Sequence, residues 1–198
     1  GLVRMVKICV LSLQGSVEEH LAMLKRLPEV EGLPVKNKQA LETADGIILP
    51  GGESTAIGKL LQIFSLKEPM QKRIAEGMPV WGTCAGMILL AKHIVGEEAC
   101  LGTMDITVRR NSFGRQIDSF SVTAPEEGIG IIPLVFIRAP WAESADSPEV
   151  QVLCKVKGHI VAARQRNMLA TAYHPELTEN TAMHRYFAAM CRQTQGAI

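Results

Sequence analysis

The sequence lacks the long apolar segment that a membrane-spanning helix requires, since no run approaches the roughly 20 residues needed. The apolar run at residues 6–13 has neither a long h-region nor a cleavage site, so no signal peptide is expected. The formal net charge is only +1. The charge therefore argues against nucleic acid or an anionic membrane surface as a partner.

A paired cysteine motif is also missing. The sequence contains five dispersed cysteines and no CxxC pair: Cys9, Cys84, Cys100, Cys154 and Cys191. An odd, scattered set argues against both a disulfide framework and a zinc site. We therefore expect no metal or cofactor, and a reducing, cytoplasmic compartment.

Internal repeats, low-complexity tracts and linkers are absent, so a single domain spanning 1–198 is expected, with residues 1–4 compatible with an expression remnant. Apolar runs alternate with amphipathic segments in the first half, whereas residues 101–173 hold several short β-like runs and 179–193 a closing helix. This pattern predicts an α/β fold in three layers. A mainly parallel central sheet would have helices on both faces and a few antiparallel strands in the second half.

The segment 78–95 contains the first candidate site. A short apolar strand precedes Gly82-Thr-Cys84-Ala-Gly86, and helix formers follow from Ala85 to Val95. Glycines two residues either side of Cys84 permit a strained strand-to-helix turn, and the helix N-terminus would favour a thiolate there. The pattern indicates either a cysteine nucleophile or a small buried cysteine at a tight turn.

A second candidate follows the run at residues 169–173, which ends in His174-Pro-Glu176. Residues i and i+2 of an extended chain point to the same side, so the imidazole and the carboxylate can project together. A carboxylate beside an imidazole fixes its tautomer and stabilises its cation. The alternative is a solvated loop at a strand end.

The third candidate is the glycine-rich turn at residues 49–55, Leu-Pro-Gly-Gly-Glu-Ser-Thr. It lacks the Gly-Lys-Ser/Thr ending of a nucleotide-binding P-loop. A Gly-Gly turn can aim a backbone N–H at a developing oxyanion, and the residue after a nucleophile can supply a second one. Taken alone, the segment is equally an ordinary turn.

In this order on an alternating α/β chain, the three motifs resemble those of the triad-type (class I) glutamine amidotransferases, whose fold is flavodoxin-like. Further segments resemble the glutaminase subunit of pyridoxal 5′-phosphate synthase: residues 13–15 (Leu-Gln-Gly), 110–116 (Arg-Asn-Ser-Phe-Gly-Arg-Gln), 118–120 (Asp-Ser-Phe), 136–140 (Phe-Ile-Arg-Ala-Pro) and 174–178 (His-Pro-Glu-Leu-Thr). The resemblance extends from about residue 6 to residue 191.

The resemblance implies hydrolysis of L-glutamine to glutamate and ammonia through a thioester. The ammonia would pass to a separate (β/α)₈-barrel synthase subunit that builds the cofactor. The triad would be Cys84, His174 and Glu176, and the backbone N–H groups of Gly52 and Ala85 would hold the oxyanion. Family-implied glutamine-binding residues are Gly52, Glu53, Ser54, Arg110, Ile137 and Arg138.

The chain departs from the family at residues 56–59, where a second threonine and basic residues are common, and in the proline- and glutamate-rich stretch 125–149. These changes concern partner contacts more than chemistry, and Gln14 is a further candidate for the subunit interface.

The sequence leaves other functions open. They are a class I glutaminase serving another acceptor, a non-catalytic regulatory relative, and a cysteine peptidase or deglycase. The histidines at 20, 93, 159 and 184 are interpreted as structural.

Overall fold

The computed structural model describes residues 4–110 and 119–196. The strands within these ranges are β1 Val6–Leu11, β2 Val30–Val35, β3 Gly46–Leu49, β4 Val80–Thr83, β5 Ala91–Ile94, β6 Met104–Arg109, β7 Ser119–Glu126, β8 Gly130–Ile137, β9 Trp141–Ala145, β10 Gln151–Val156, β11 His159–Gln165 and β12 Met168–Thr171. The helices are α1 Val17–Lys25, α2 Lys38–Glu42, α3 Ser54–Ile63, α4 Lys67–Ala75, α5 Ala85–Leu90 and α6 Ala182–Gly196, and a 3-10 turn spans Pro175–Leu177.

Ten of the strands in the described ranges form one sheet in the order β2-β1-β3-β4-β12-β11-β9-β6-β5, with β10 also paired to β11. The first five strands of this order run parallel. Beyond them, β11 pairs antiparallel with β12, β10 and β9, and β9 pairs antiparallel with β6. Strands β7 and β8 form a separate hairpin.

Every residue of β3, β4 and β12 is buried. Strands buried throughout must be covered on both faces of the sheet, which requires packing in three layers. The expected α/β fold with a mainly parallel sheet and antiparallel strands in the second half is therefore confirmed. Within the described residues, no helix is long and apolar enough to cross a membrane.

The helix expected to run from Ala85 to Val95 is wrong in its second half, because α5 ends at Leu90 and the chain continues directly as β5. The carbonyls of Leu89 and Leu90 accept hydrogen bonds from the backbone N–H groups of Leu101 and Thr103, 2.9 Å away in each case. The chain after Leu90 pairs with β6 at the edge of the sheet and does not form a further helical turn. Helix α2 and strand β9 were not expected from the sequence.

Candidate active site

Cys84 lies at the turn that joins β4 to α5. Its backbone has φ +52° and ψ −102°, a strained conformation for a residue with a side chain. The chain can turn this tightly because Gly82 and Gly86 flank it. A Cβ on Gly82 would lie 2.3 Å from the carbonyl oxygen of Gly86, and one on Gly86 would lie 2.3 Å from that of Leu49. Cys84 itself is 8% exposed.

His174 follows β12, the strand that pairs in parallel with β4, so both residues leave the sheet at the same edge. Its backbone N–H donates to the carbonyl of Val135 at 2.8 Å. Gly51 packs directly on the imidazole, since a Cβ there would lie 2.5 Å from Cε1. Burial alone lowers the pKa of His174, but hydrogen bonds with Cys84 and Glu176 outweigh it and raise the pKa to about 10. The imidazolium is therefore the favoured form at neutral pH.

Glu176 lies in the 3-10 turn after His174 and is buried. Its Oε2 accepts from His174 Nδ1 at 2.8 Å and from the Ser16 hydroxyl at 2.8 Å. Burial raises the pKa of this carboxyl, but the bond from His174 and nearby charge lower it overall. The structure thus places His174 between Glu176, which accepts from its Nδ1, and Cys84, which lies close enough to raise its pKa.

The sequence Ser16-Val-Glu-Glu19 has the spacing of a capping box, which predicts that the Ser16 side chain caps the first turn of α1. Ser16 does precede α1, but its side chain makes no capping bond and donates to Glu176 instead. The carboxylate, which is buried and charged, is the stronger acceptor and provides the stronger interaction. The side-chain role predicted from the local sequence is therefore wrong.

The glycine-rich turn after β3 is hydrogen-bonded to the turn after β1. Gly51 carbonyl accepts from Ser16 N–H at 2.9 Å, and the Gln14 Oε1 accepts from Glu53 N–H at 2.9 Å. A Cβ on Gly52 would lie 2.3 Å from that Gln14 oxygen. The structure thus places Gly52 next to Gly51, the residue that contacts His174. Ala85 directly follows Cys84 at the start of α5.

The residues expected to bind glutamine are distributed around this turn. Glu53 caps α3 by accepting from Ala56 N–H at 2.6 Å, and this backbone bond lowers its pKa. Ser54 is buried, and its hydroxyl has no partner in the part of the chain that the structure describes. Arg110 is ion-paired with Glu97 and donates to Thr55 at 3.3 Å. Ser54 and Arg110 line a common cavity of about 260 Å³.

The segment after β8 reaches Cys84 from the other side. Cys84 Sγ lies 3.9 Å from the carbonyl oxygen of Ile137. Arg138 is exposed and adopts a left-handed φ of +46°, which is uncommon for a residue with a side chain. The family-like residues 111–118 lie outside the described residues. In the described ranges, no group of three or more His, Cys, Asp or Glu side chains could hold a metal ion.

The sequence did not indicate three residues near Glu176: Ser16, His20 and His184. Ser16 and His20 lie beside the Glu176 carboxylate, and His184 contacts His20. His20 Nε2 lies 3.6 Å from Glu176 Oε1, and His20 Nδ1 lies 2.9 Å from His184 Nε2. The contact between these histidines spans 164 residues. No local spacing could have indicated it.

Comparison with solved structures shows that the fold is that of the class I glutamine amidotransferases. A structure described as a glutamine amidotransferase superposes with a TM-score of 0.88 at 43% identity, covering 93% of this chain and 98% of that one. A glutamine amidotransferase from Thermotoga maritima, at 13% identity and TM-score 0.63, shares the fold over 98% of this chain and 86% of that one.

The more particular assignment comes from sequence. The profile of the SNO glutamine amidotransferase family matches residues 10–193. A Ruminiclostridium cellulolyticum protein named pyridoxal 5′-phosphate synthase subunit PdxT is 54% identical, covering 94% of this chain and all of that one. A Haemophilus influenzae protein of the same name is 47% identical, covering 94% and 99%. The chain belongs to the SNO glutamine amidotransferase family, and the expectation of a glutaminase-type enzyme is confirmed.

Proposed function

We propose that this chain hydrolyses L-glutamine to L-glutamate and ammonia, with Cys84 as the nucleophile, His174 as the proton carrier and Glu176 as the group that orients His174. The observation that carries the proposal is the position of His174 at one edge of the sheet, with Nδ1 bonded to Glu176 and with Cys84 on the neighbouring strand end raising its pKa. Nucleophile, base and orienting group in contact are the requirement for acyl transfer through a covalent intermediate. The strained turn at Cys84 supports the same role.

In the first half-reaction, His174 holds the proton of the Cys84 thiol as an imidazolium, and the thiolate attacks the side-chain amide carbon of glutamine. A C–S bond forms, and the carbonyl electron pair moves onto oxygen. Backbone N–H groups of Gly52 and Ala85 hold this oxyanion; removing one such donor typically costs on the order of 10²–10³ in rate. The C–N bond then breaks as His174 returns its proton to the leaving ammonia.

In the second half-reaction, His174 takes a proton from water, and the hydroxide attacks the thioester carbon. The C–S bond breaks, the thiol regains its proton, and glutamate leaves. Throughout both steps Glu176 keeps the Nδ1 proton of His174 in place, so Nε2 faces the reacting atoms. No cofactor is needed for this chemistry.

The proposed glutamine-binding groups are Gly52, Glu53, Ser54, Arg110, Ile137 and Arg138. Ser54 offers a buried hydroxyl without a partner among the described residues, and Arg110 lines the same cavity. A guanidinium suits recognition of the substrate carboxylate. We expect Arg110→Ala to raise the KM for glutamine more than it lowers kcat. Arg192→Ala, at an exposed pair with Glu29, is the matched control and leaves both constants unchanged.

We further propose that the ammonia serves pyridoxal 5′-phosphate synthesis through a synthase subunit, expected to be a (β/α)₈ barrel. Support comes from relatives that are named as subunits of that synthase and aligned over almost their whole length. Released glutamate should therefore increase when the synthase subunit is added. Equal rates with and without it would contradict the partnership while leaving the hydrolysis intact.

The decisive experiment measures glutamate release by wild type, Cys84→Ala and Cys154→Ala, each with the synthase subunit present. Cys154 is another buried cysteine, in β10, and serves as the matched control. We expect no turnover by Cys84→Ala and near-normal turnover by Cys154→Ala. Normal turnover by Cys84→Ala would overturn the proposed function.

A further inference from the structure

Two fully buried histidines lie next to Glu176. His20 is on α1 and His184 is on α6, and neither has exposed surface. Trp81 packs edge-on against both rings, with centroids 5.7 Å and 4.8 Å away. Neither histidine has a part in the chemistry proposed above.

The two oxygens of Glu176 are held unequally. Oε2 accepts from His174 and Ser16, whereas Oε1 makes no hydrogen bond to any residue that the structure describes. His20 Nε2 lies 3.6 Å from this second oxygen. An ionised carboxylate oxygen buried without a donor is costly, so a donor at His20 Nε2 would stabilise it.

The surrounding groups select the tautomer of His20. Burial lowers the pKa of both histidines, so each is neutral and carries one ring proton. If His20 carried its proton on Nδ1, it would donate to His184 Nε2. The His184 proton would then lie on Nδ1, which is buried with no partner among the described residues. The bare Nε2 of His20 would also face the Glu176 carboxylate.

The opposite arrangement leaves no ring N–H of the two histidines without an acceptor to face. His184 donates from Nε2 to His20 Nδ1 at 2.9 Å, and His20 presents Nε2–H towards Glu176 Oε1 and Thr83 Oγ1, 3.6 Å and 3.4 Å away. His184 Nδ1 then keeps only an unpaired lone pair, which costs less than an unpaired N–H, and Glu176 Oε1 faces a donor rather than a second lone pair. Both ends of the pair therefore favour the same tautomer.

We propose that His20 is a positioning residue for Glu176: with its proton fixed on Nε2 by His184, it holds Oε1 and sets the plane of the carboxylate that orients His174. This inference depends on the proposed triad. A carboxylate held through one oxygen can pivot about that contact, whereas one held through both oxygens cannot. The pair also ties the positions of α1 and α6 to the triad.

The first test uses the wild-type chain labelled with ¹⁵N-histidine. Nitrogen chemical shifts distinguish the two neutral tautomers, and the assignment is made with His20→Gln and His184→Gln. We expect neutral His20 with its proton on Nε2 and an unprotonated Nδ1 across pH 6–8. A proton on Nδ1, or a charged ring at neutral pH, would overturn the proposal without any reference to activity.

The second test compares His20→Leu, which cannot donate, with His20→Gln, whose amide can reach Glu176 Oε1. Residues that orient metal ligands typically change activity by about 10–100-fold, and His20 would orient Glu176 in the same indirect way. We expect His20→Leu to lower kcat by about that factor with KM unchanged. The alkaline limb of its kcat profile should move to lower pH, because a loosened carboxylate stabilises the His174 cation less. His20→Gln should recover most of the rate and the profile.

Trp81→Phe is the matched control, because it disturbs packing against both histidines but removes no contact with Glu176. It should lower the free energy of unfolding while leaving kcat within about 2-fold. If folded His20→Leu keeps the wild-type rate and pH profile, or His20→Gln fails equally, the positioning role is wrong. That result remains distinct from failure of the triad, which an active Cys84→Ala would reveal.

Discussion

Among single residues, Glu126 in β7 has a buried carboxyl group that the proposed reaction does not use. It is 3% exposed, and neither oxygen has a hydrogen-bond partner within residues 4–110 and 119–196. Burial raises its pKa to about 8. In the unfolded chain the usual value of 4.5 applies, so stability contributed by this group is present below about pH 4.5 and is lost as pH rises through 8.

Replacing Glu126 by Gln keeps the size and removes the ionisation. We expect Glu126→Gln to match wild type near pH 5 and to exceed it at pH 9 by roughly 4 kcal/mol in the free energy of unfolding. Urea unfolding at the two pH values measures this difference. Glu127→Gln, at the exposed neighbouring position, should change it by less than about 0.5 kcal/mol. An equal difference between Glu126→Gln and wild type at both pH values would show that the carboxyl is solvated.

Ser16 provides a second test at this scale, because its hydroxyl donates to Glu176 rather than to α1. Ser16→Ala should lower kcat for glutamine hydrolysis about 5- to 30-fold, since one charge-assisted bond is worth about 1–2 kcal/mol. Ser16→Thr, which keeps the hydroxyl, should retain most of the rate. A loss of helix stability with normal kcat in Ser16→Ala would restore the capping-box interpretation.

At the scale of helices and strands, the sequence predicted which kind of element forms better than it predicted where each element ends. Ala91 and Ile94 fit the apolar face of a helix continuing from α5, but the same residues are the buried ends of β5. A four-residue segment is too short to distinguish the helical periodicity from that of a strand. The segment forms a strand because it pairs with β6, which lies ten residues further along the chain. By contrast, the turn at Cys84 was predictable because its glycine spacing is a local requirement.

The tight packing of the turn between β4 and α5 can be tested by a substitution at Gly86, with Gly58 in α3 as the control. Gly86→Ala would place Cβ 2.3 Å from the backbone oxygen of Leu49, so we expect a loss of several kcal/mol or failure to fold. Gly58→Ala, within α3, would meet only Cys100 Sγ at an ordinary 3.5 Å and should stabilise by about 0.5–1 kcal/mol. Thermal unfolding of the two variants measures both. A well-folded Gly86→Ala would mean that α5 can move away from β3.

In the whole molecule, the candidate site forms because β1, β3, β4 and β12 run parallel and end at one edge. Alternating strands and helices indicated such a sheet, and the order of motifs indicated which turns meet there. The sequence could not indicate that β12 would lie beside β4, with about 85 residues between them. Nor could it indicate the burial of His20 and His184 between helices from opposite ends of the chain, because pairing at that distance leaves no local pattern.

The buried titratable groups together set the pH of maximum stability. Burial lowers the pKa of His20 and His184, so stability is lost as pH falls below their usual value of 6.5. The raised pKa values of His174, about 10, and Glu126, about 8, have the opposite effect: stability is lost as pH rises from 6.5 to 10 for His174 and from 4.5 to 8 for Glu126. Each group contributes a slope of about 1.4 kcal/mol per pH unit within its window.

Urea unfolding between pH 4.5 and 9 should therefore give a maximum free energy of unfolding near pH 6.5. Below that pH the two buried histidines together outweigh Glu126, so the free energy of unfolding falls as the pH is lowered. His184→Gln removes one of the two buried imidazoles and should flatten this acid limb, whereas Glu126→Gln should steepen it and shift the maximum to higher pH. A plateau from pH 5 to 8 in the wild-type chain would contradict the assignment of these groups as neutral and buried.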